Sequence, residues 1–454
     1  MANQNDALIP EIWTREALMT LMSNTVMASL VHRDFSNLVA SYGDVVNTSR
    51  PADFSGKRKT DSDNVTDQDA ISSNINVPLD QHLHVSFVIK DGELSKALPD
   101  LLERYMEPAA RELAEKIDQV LCGQAARLLD NTVGEPNGVT SLNVDEYILD
   151  ADEKLNDNRC PKSGRRLVMS SRFNRAALGA DIVVEADKRG DAGTALREAS
   201  VGRIYGFDSF MDQNVAYVNP NNTEEEAGVT DGAEAAASTV IETTVTHANV
   251  NAGEWLVIAG EKHLHRISSA ADNAGDADIT LVDGLKADVA AGAAVTVYKA
   301  ADVASDYVAG WAKEISIDGY AAGKAPQVGQ LISFGTGAST HSYTIIAATD
   351  NGSDCDVLLD RPLDSSLADN DLAFPGPAGS MSLAFVRDSI ALVSRPLASV
   401  ANSMGARSAV TSFDGLSMRV TMQYDSQSQG TRVTFDLLCG VAVLDARLAC
   451  VIHG

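Results

Sequence analysis

The sequence predicts an α+β protein with an inserted all-β segment. Helical and strand patterns alternate over residues 1–220, whereas residues from about 220 to 378 carry only short β-like segments separated by Gly, Asp and Asn turns. The mixed pattern returns after Gly379. Because runs of strands and helix–strand alternation build different layers, this change of pattern indicates two kinds of domain. The length of 454 residues agrees, since one domain takes about 100–200 residues.

Composition and charge exclude several classes of protein. The chain has 63 acidic and 36 basic residues and a net charge of −27, which disfavours tight, sequence-directed binding of nucleic acid. We expect no membrane anchor, because there is no run of 18 apolar residues. Residues 1–6 lack the basic and apolar regions of a signal peptide. The cysteines are odd in number and form no CxxC pair, which indicates reduced thiols, as in the cytosol.

The N-terminal elements are helical at first and then extended. Residues 7–40 read as helical with loop breaks, beginning near Pro10. Strand patterns follow at 42–48, 74–79 and 84–89. We expect these strands to form a long two-stranded arm with a charged tip. An isolated hairpin is marginal in water, so the arm should need a neighbouring surface.

The tip of this arm carries a basic triplet followed by acidic residues. The triplet could touch nucleic acid, but on so acidic a chain we favour pairing with acidic surface on a neighbouring copy. The candidate subunit-contact residues are Arg50, Lys57, Arg58, Lys59, Asp61 and Asp63.

Residues 94–130 give the clearest helical signal, with one apolar face at 3.6-residue spacing. Pro108 implies either a kink or a fresh first turn within it. Further on, the pattern predicts helices at 145–157, 172–178 and 193–199, and strands at 166–170, 202–205, 215–217, 416–424, 432–438 and 444–452, with 383–392 as a strand or short helix.

The inserted segment is acidic and contains an internal repeat. Residues 224–376 hold 24 acidic and 7 basic side chains. The run at 253–258 aligns with 329–334, and 267–285 aligns with 345–363. Two small β-barrel units are the natural interpretation.

Motifs for chemistry are weak. Neither GxxxxGK[ST], GxGxxG nor GxSxG occurs. The pairs His82/His84 and His263/His265 could each ligate a metal from one strand face, but neither has a third ligand, and solvent-facing strand positions are the favoured interpretation.

Two acidic runs and three cysteines also have a structural interpretation. The runs 272–278 and 350–356 resemble calcium loops only faintly and fit hairpin turns better. Cys122, Cys439 and Cys450 lie in apolar patterns and are predicted to be buried. The sequence therefore predicts no catalytic, cofactor-binding or metal site.

Several long stretches resemble one family. They are 43–47, 50–51, 65–67, 77–79, 84–87, 104–110, 113–118, 384–392, 395–397, 415–420 and 436–440. In these stretches, covering roughly 5–220 and 379–454, the sequence resembles the P22-type coat proteins of tailed phages and the wider HK97-like major capsid proteins.

The resemblance implies an HK97-like capsid fold and a division of the chain. Residues 99–130 would contain the spine helix. The implied parts are an N-arm (1–40), an E-loop (41–90), a peripheral domain (91–139), a first axial part (140–221), an inserted β-domain (222–378, with repeats at 230–300 and 310–376) and a C-terminal axial and peripheral part (379–454).

The resemblance also implies a function without enzymatic activity. The chain would self-assemble into the icosahedral shell, made of hexamers and pentamers, that encloses the double-stranded DNA genome of a phage. Synthesis would take place in the host cytoplasm, with a separate scaffolding protein, a portal protein and a decoration protein as partners. The alternatives are an encapsulin-like compartment, an acidic tandem-β binding protein or adhesin, and a metal- or calcium-dependent enzyme.

Overall fold

A computed structural model describes most of the chain. It covers residues 10–34, 45–49, 54, 56, 58–59, 67, 74–79, 81–90, 105–128, 131–135, 138–184, 199, 201–218, 225–261, 264–320, 323–334, 342–363, 365–375, 379–398, 406–413, 415–425 and 429–454. The chain divides into two compact units. The first comprises residues 1–20, 32–110 and 390–445, and the second comprises residues 21–31, 111–389 and 446–454.

The described α-helices are α1 (Pro10–Asn24), α2 (Met27–Leu30), α3 (Glu107–Cys122), α4 (Val144–Asp157), α5 (Ser171–Leu178) and α6 (Asp181–Val184). The described strands are β1 (Val45–Ser49), β2 (Asn74–Pro78), β3 (Gln81–Lys90), β4 (Thr132–Val133), β5 (Arg165–Met169), β6 (Arg203–Ile204), β7 (Phe207–Met211), β8 (Tyr217–Val218), β9 (Glu225–Val229), β10 (Val240–Thr246), β11 (Trp255–Ile258), β12 (His265–Asn273), β13 (Asp276–Leu281), β14 (Ala294–Tyr298), β15 (Ala301–Val303), β16 (Glu314–Asp318), β17 (Leu331–Phe334), β18 (Ser342–Asp350), β19 (Cys355–Leu359), β20 (Leu372–Pro375), β21 (Gly379–Val386), β22 (Ile390–Arg395), β23 (Ala406–Phe413), β24 (Leu416–Asp425), β25 (Gly430–Val443) and β26 (Ala449–His453).

The helices begin and end where local chemistry allows. Pro10 opens α1 and Pro108 lies in the first turn of α3, where a missing N–H costs no hydrogen bond. The sequence leaves a kink or a fresh first turn open at Pro108; α3 begins at Glu107, directly after a π-helical turn at Tyr105 and Met106. The predicted helix at 94–130 is too long within the described residues, because α3 ends at Cys122 and the chain tightens into a 3-10 helix over Gly123–Leu128. Residues 94–104 lie outside the described part.

The first unit contains a two-stranded ribbon and a five-stranded antiparallel sheet. Strands β1 and β2 pair over five residues, from Val45 opposite Pro78 to Ser49 opposite Asn74. Strand β3 was expected in the same arm, and that expectation is wrong. It pairs with β25 over ten residues, where Ile89 is buried and Phe87 stacks on Phe435.

The second unit contains a seven-stranded sheet in which β4-β26-β21-β5-β7-β6 lie side by side and β8 pairs with β21. Helices α4 and α5 cover this sheet with buried side chains such as Tyr147, Ile148 and Phe173, which pack with Leu167 and Ile452 of the strands. Ser170 caps α5, because its hydroxyl accepts a hydrogen bond from the Phe173 N–H.

Some short segments differ from the sequence-based expectation. Strand β7 was not predicted, and the strand expected at 215–217 lies at Tyr217–Val218. The region 383–392 divides into two strands, β21 and β22, joined by a 3-10 turn. The helix expected at 193–199 lies outside the described residues apart from Ala199.

The acidic segment forms two β-structures with one strand order. Strands β15-β16-β19-β18-β17-β20 form a closed barrel, and β10-β13-β12-β11-β14-β9 form a six-stranded sheet. When β9–β14 are matched in turn to β15–β20, the order of the strands around the ring is the same, and β9 and β10 are the two end strands of the open sheet. The end strands of the sheet also meet, since Thr230 bridges Thr243. The two cores are separate clusters of aliphatic side chains.

Backbone details repeat between these two structures. Gly253 and Gly329 both have positive φ, at 95° and 82°, before β11 and β17. Each donates its N–H to an isoleucine carbonyl, Ile267 or Ile345, at 2.8 Å. The strand pairing then shifts register just after each isoleucine. The segments aligned in the sequence therefore have equivalent positions in the two structures.

Candidate assembly sites

The two-stranded ribbon of β1 and β2 is fixed at its base within the first unit. Val77 of β2 is fully buried and packs with Ala391, Val393 and Ala442. The ribbon is thus anchored at one end by apolar contacts, as the marginal stability of a lone hairpin requires.

The structure describes only two of the six candidate contact residues. Arg58 and Lys59 are exposed, and Phe54 nearby is 66% exposed. The other four, Arg50, Lys57, Asp61 and Asp63, lie outside the described residues.

A buried ion pair joins the strands beside the ribbon. The Asp436 carboxylate on β25 is 4% exposed and accepts hydrogen bonds from the Arg419 guanidinium on β24, at 3.0 Å and 3.2 Å from Nε. A second guanidinium nitrogen of Arg419 donates to the same carboxylate. Arg419 also donates to the Ala398 carbonyl oxygen at 2.8 Å. The pair ties two strands and the segment after β22 together.

A second buried charge site holds the short helix α2. The Asp118 carboxylate on α3 accepts hydrogen bonds from the N–H groups of Val26 (2.7 Å) and Ala28 (3.1 Å). At the other end of α2 the Arg166 guanidinium donates to the Leu30 carbonyl oxygen. A negative group near the N-terminus of a helix and a positive group near its C-terminus both interact favourably with the helix dipole and stabilise the helix.

Burial perturbs this carboxylate strongly. The pKa of Asp118 rises from 3.8 to about 7, first because the carboxyl is buried and second because the Asp212 carboxylate lies near it, although the Val26, Ala28 and Met27 N–H groups oppose the rise. Burial also raises the pKa of Asp212. The Cys122 thiol lies 3.9 Å from an Asp212 oxygen, and burial raises the pKa of this thiol well above its usual value. Two buried carboxyls and a thiol therefore lie close together at one site.

The closed barrel is attached to the end of α3. The Thr344 hydroxyl on β18 donates to the Gly123 carbonyl oxygen at 3.0 Å. Asp360 is 1% exposed and accepts hydrogen bonds from the Thr344 N–H (2.9 Å) and the Gln124 amide (3.5 Å). The Arg361 guanidinium neutralises Asp360 at 3.0 Å. The barrel is thus fixed through polar contacts that leave no buried charge uncompensated.

The histidine pairs do not form a metal centre in the part of the chain described. His82 and His84 are both exposed on β3, as the favoured interpretation predicts. His265 is buried 3.8 Å from a Glu261 oxygen, and His263 lies outside the described residues. Among the residues described, no group of three or more His, Cys, Asp or Glu side chains could hold a metal ion.

The other weak motifs are structural. Asp272 and Asp350 cap hairpin turns by accepting the N–H of Gly275 (2.9 Å) and of Gly352 (2.8 Å), so the turn interpretation is confirmed. All five cysteines are buried, and none of them forms a disulfide. The described helices include none that is both long and apolar enough to cross a membrane.

Sequence reasoning missed Asp118 and Asp212 as a site. A signal for Asp118 was present, because it adjoins Ile117 on the apolar stripe of α3 that also contains Leu113 and Leu121. A charged residue on a buried stripe needs partners. Its partners are backbone groups about 90 residues away, which no local pattern identifies.

Comparisons with protein families and with curated proteins give a family match. The model of the P22 coat protein family (gene protein 5) matches residues 1–313. The comparison with curated proteins gives no match.

Among solved structures, the chain is similar to one from Mycobacterium phage Che8, with 14% identity and a TM-score of 0.45 over 94% of this chain and 90% of that one. It is also similar to the mature capsid of bacteriophage PhiM1, with 9% identity and a TM-score of 0.42 over 95% and 87% of the two chains. The capsid of the cyanophage P-SCSP1u matches with 10% identity and a TM-score of 0.42 over 91% and 84%.

Proposed function

The chain belongs to the P22 coat protein family, and from this membership we propose that it is the major capsid protein of a phage, assembling with copies of itself into a closed shell. The observation that carries the proposal is the family match over residues 1–313, more than half of the chain. The role is structural, and the protein is a component of the virion.

The fold supports an HK97-like arrangement of the subunit. In this proposal α1 and α2 belong to the N-arm, the β1–β2 ribbon with its long connection is the E-loop, and α3 is the spine helix. The seven-stranded sheet covered by α4 and α5 is the axial domain. The two β-structures of one strand order between residues 225 and 375 are two tandem inserted domains.

The ribbon joins neighbouring copies in this proposal. Its base is anchored by Val77, while Arg58 and Lys59 are exposed. Arg50 and Lys57 extend the positive charge, and carboxylates on an adjacent subunit neutralise it. Electrostatic contacts of this kind fix register between partners as well as adding affinity.

Three further protein partners follow from the proposed assembly. A separate scaffolding protein directs closure, and a portal protein occupies one vertex of the shell. A decoration protein would bind outside. Double-stranded DNA fills the interior without sequence-specific contacts, because a chain with a net charge of −27 repels phosphate.

Charge reversal of the hairpin tests the ribbon contact. Changing Lys57, Arg58 and Lys59 together to Glu should leave the subunit folded and prevent shell formation, because like charges on apposed surfaces oppose association. Sedimentation velocity measures the assembled fraction. The control is the charge-conserving triple exchange Lys57→Arg, Arg58→Lys and Lys59→Arg, which should still assemble. Normal shells from the Glu variant would rule out the contact.

Electron microscopy tests the function itself. The chain is expressed alone and together with a candidate scaffolding protein from the same genome, and both samples are imaged in negative stain. Uniform closed particles in the co-expressed sample are the expected result. Monomers in both samples at every concentration would contradict the proposal and favour a tandem-β binding protein.

A further inference from the structure

The two inserted β-structures provide an internal comparison of one surface turn. In the closed barrel, the Gly310 N–H donates to the Leu363 carbonyl oxygen at 2.8 Å. In the six-stranded sheet, the Ala237 N–H donates to the Leu285 carbonyl oxygen at 2.7 Å. Gly310 and Ala237 both have positive φ, at 80° and 69°. The same turn therefore occurs in both.

The turn of the closed barrel contains one additional residue. The Leu363 N–H donates to the Ala312 carbonyl oxygen at 3.0 Å, and the Leu285 N–H donates to the Ser238 carbonyl oxygen at 2.9 Å. These second bonds make Ala312 equivalent to Ser238. Between the two anchoring bonds the barrel has Trp311, and the six-stranded sheet has no residue at that place. The fold of the turn does not require this tryptophan.

Trp311 is exposed to solvent on a turn with backbone hydrogen bonds on both sides. It is 88% exposed, and Val308 beside it is 67% exposed. The Ala312 N–H donates back to the Val308 carbonyl oxygen at 3.3 Å, so the apolar pair sits on a hydrogen-bonded backbone. Covering an exposed tryptophan with a partner is favourable, and tryptophan is enriched among residues that dominate binding energy.

The surroundings of Trp311 define the charge of its partner. Residues 301–375 contain 11 acidic and 3 basic side chains. Asp306, five positions before Trp311, and Asp369 are exposed, and the Asp369 N–H donates to an Asp306 carboxylate oxygen at 2.8 Å. Lys313 and Glu314 follow Trp311 by two and three positions and carry opposite charges. The complementary surface therefore offers an apolar or aromatic group flanked by basic side chains.

This same chain carries such a surface on its hairpin. Residues 57–59 are the only run of three consecutive Lys or Arg residues in the sequence. Phe54, three positions before that run, is 66% exposed, and Arg58 and Lys59 are exposed too. An aromatic side chain followed by three positive charges matches an exposed tryptophan on an acidic domain.

We infer that the Trp311 turn of one copy receives the hairpin segment 54–59 of a second copy. The inference rests on the proposed function and extends it, because it identifies which acidic surface the basic hairpin contacts. Each subunit contributes one hairpin and one turn, so the contact is head-to-tail and can continue around a closed ring of copies.

Photo-crosslinking in assembled shells tests the contact. The photoreactive residue p-benzoylphenylalanine replaces Trp311 in the full chain, and a second batch carries it at Ala236, in the equivalent turn of the six-stranded sheet. Each is co-assembled with unmodified chain labelled with ¹⁵N, irradiated and digested. Mass spectrometry then identifies the crosslinked peptides and their isotope labels.

The expected result is a crosslink from position 311 to residues 54–59 of a ¹⁵N-labelled copy, with no such crosslink from position 236. Shells that form but give crosslinks from position 311 only to other segments, or none, would overturn the inference and leave the proposed function intact. If unmodified chain forms no shells, the proposed function fails, and this contact fails with it.

A substitution gives an independent measurement. Trp311→Ala should leave the circular dichroism spectrum and melting temperature unchanged, because the side chain is 88% exposed. It should raise the protein concentration needed for assembly by about tenfold, as expected for a central aromatic contact. The control Val282→Ala, 37% exposed on the six-stranded sheet, should not. Assembly of Trp311→Ala at the wild-type concentration would contradict the inference.

Discussion

Replacing Asp118 by Asn should raise the stability of the subunit relative to wild type as the pH rises from 5 to 9. Asp118 is 1% exposed, and its pKa is raised from 3.8 to about 7 by burial and by the Asp212 carboxylate. The folded state therefore binds a proton between pH 3.8 and 7 that the unfolded state releases. Stability rises as pH falls through this window, and above pH 7 the folded state holds an unfavourable buried charge.

The magnitude follows from the size of the shift. A shift of roughly 3 pK units at about 1.36 kcal/mol each corresponds to about 4 kcal/mol. The Val26 and Ala28 N–H groups bind different oxygens of the Asp118 carboxylate, so the single Asn oxygen keeps one of these bonds and the other is lost at every pH, at a cost of about 1–3 kcal/mol. Relative to wild type, the Asp118→Asn subunit should gain about 3 kcal/mol of stability between pH 5 and pH 9, because about two of these pK units lie above pH 5, whereas the lost hydrogen bond lowers its stability equally at both pH values.

The assay is denaturant unfolding of unassembled subunits between pH 5 and pH 9, followed by circular dichroism. The difference between variant and wild type isolates this site from other titrating groups. Glu115→Gln, an exposed change on the same helix, is the control and should alter stability by less than about 0.5 kcal/mol at each pH. A difference between Asp118→Asn and wild type that is equal at pH 5 and pH 9 would refute the reasoning.

Three further changes have expected outcomes. Gly123→Ala should cost about 1–3 kcal/mol of stability, because the added Cβ would lie 2.7 Å from the Thr344 hydroxyl oxygen; thermal unfolding measures it. His453 is fully buried with a pKa lowered from 6.5 to about 4, so wild type should lose about 3 kcal/mol as pH falls from 6.5 to 4, and His453→Phe should remove this loss in denaturant unfolding. Arg419→Met should cost about 3–5 kcal/mol, because the buried Asp436 would lose its guanidinium partner and keep the exposed His82 ring nitrogen at 3.8 Å; the same unfolding measurement checks it.

These changes have matched controls. Gly232→Ala should be nearly neutral, since its added Cβ would meet no atom within 4 Å. Arg432→Met should cost less than about 1 kcal/mol, because this exposed side chain pairs with Asp425 at 3.4 Å in solvent. Equal losses for Gly123→Ala and Gly232→Ala, or for Arg419→Met and Arg432→Met, would contradict the packing and burial arguments. A loss of stability at acidic pH that persists in His453→Phe would contradict the assignment of this loss to the His453 imidazole.

Local patterns identified most of the regular elements. Helix α3 and strands β24 and β25 are predictable because each buries one face, and its apolar residues recur at the period of a helix or of a strand. The start of α1 is marked by Pro10. The family resemblance stated from long sequence stretches is confirmed by the family match. The aligned segments of the acidic region were also visible, since repeated turns place Gly, Asp and Asn at fixed spacing.

Contacts between residues far apart in the chain could not be predicted from the sequence. The pairing of β3 with β25 joins residues almost 350 positions apart, and an alternating strand fits several neighbours equally well. The contacts of Asp118 with Val26 and Ala28 depend on how the chain returns to α3. The sequence does not show that Trp311 is exposed, because an exposed tryptophan and a core tryptophan look alike in a sequence. Its exposure, and the absence of an equivalent residue in the turn around Ala237, follow only from the structure.

A cryo-electron microscopy reconstruction of particles assembled from this chain tests the central claim most directly. The account predicts a closed icosahedral wall made of copies of this chain, in which the connection between Ser49 and Asn74 of each copy lies on a neighbouring subunit. Particles in which this connection contacts only its own subunit, or preparations that yield no closed particle, would contradict the account.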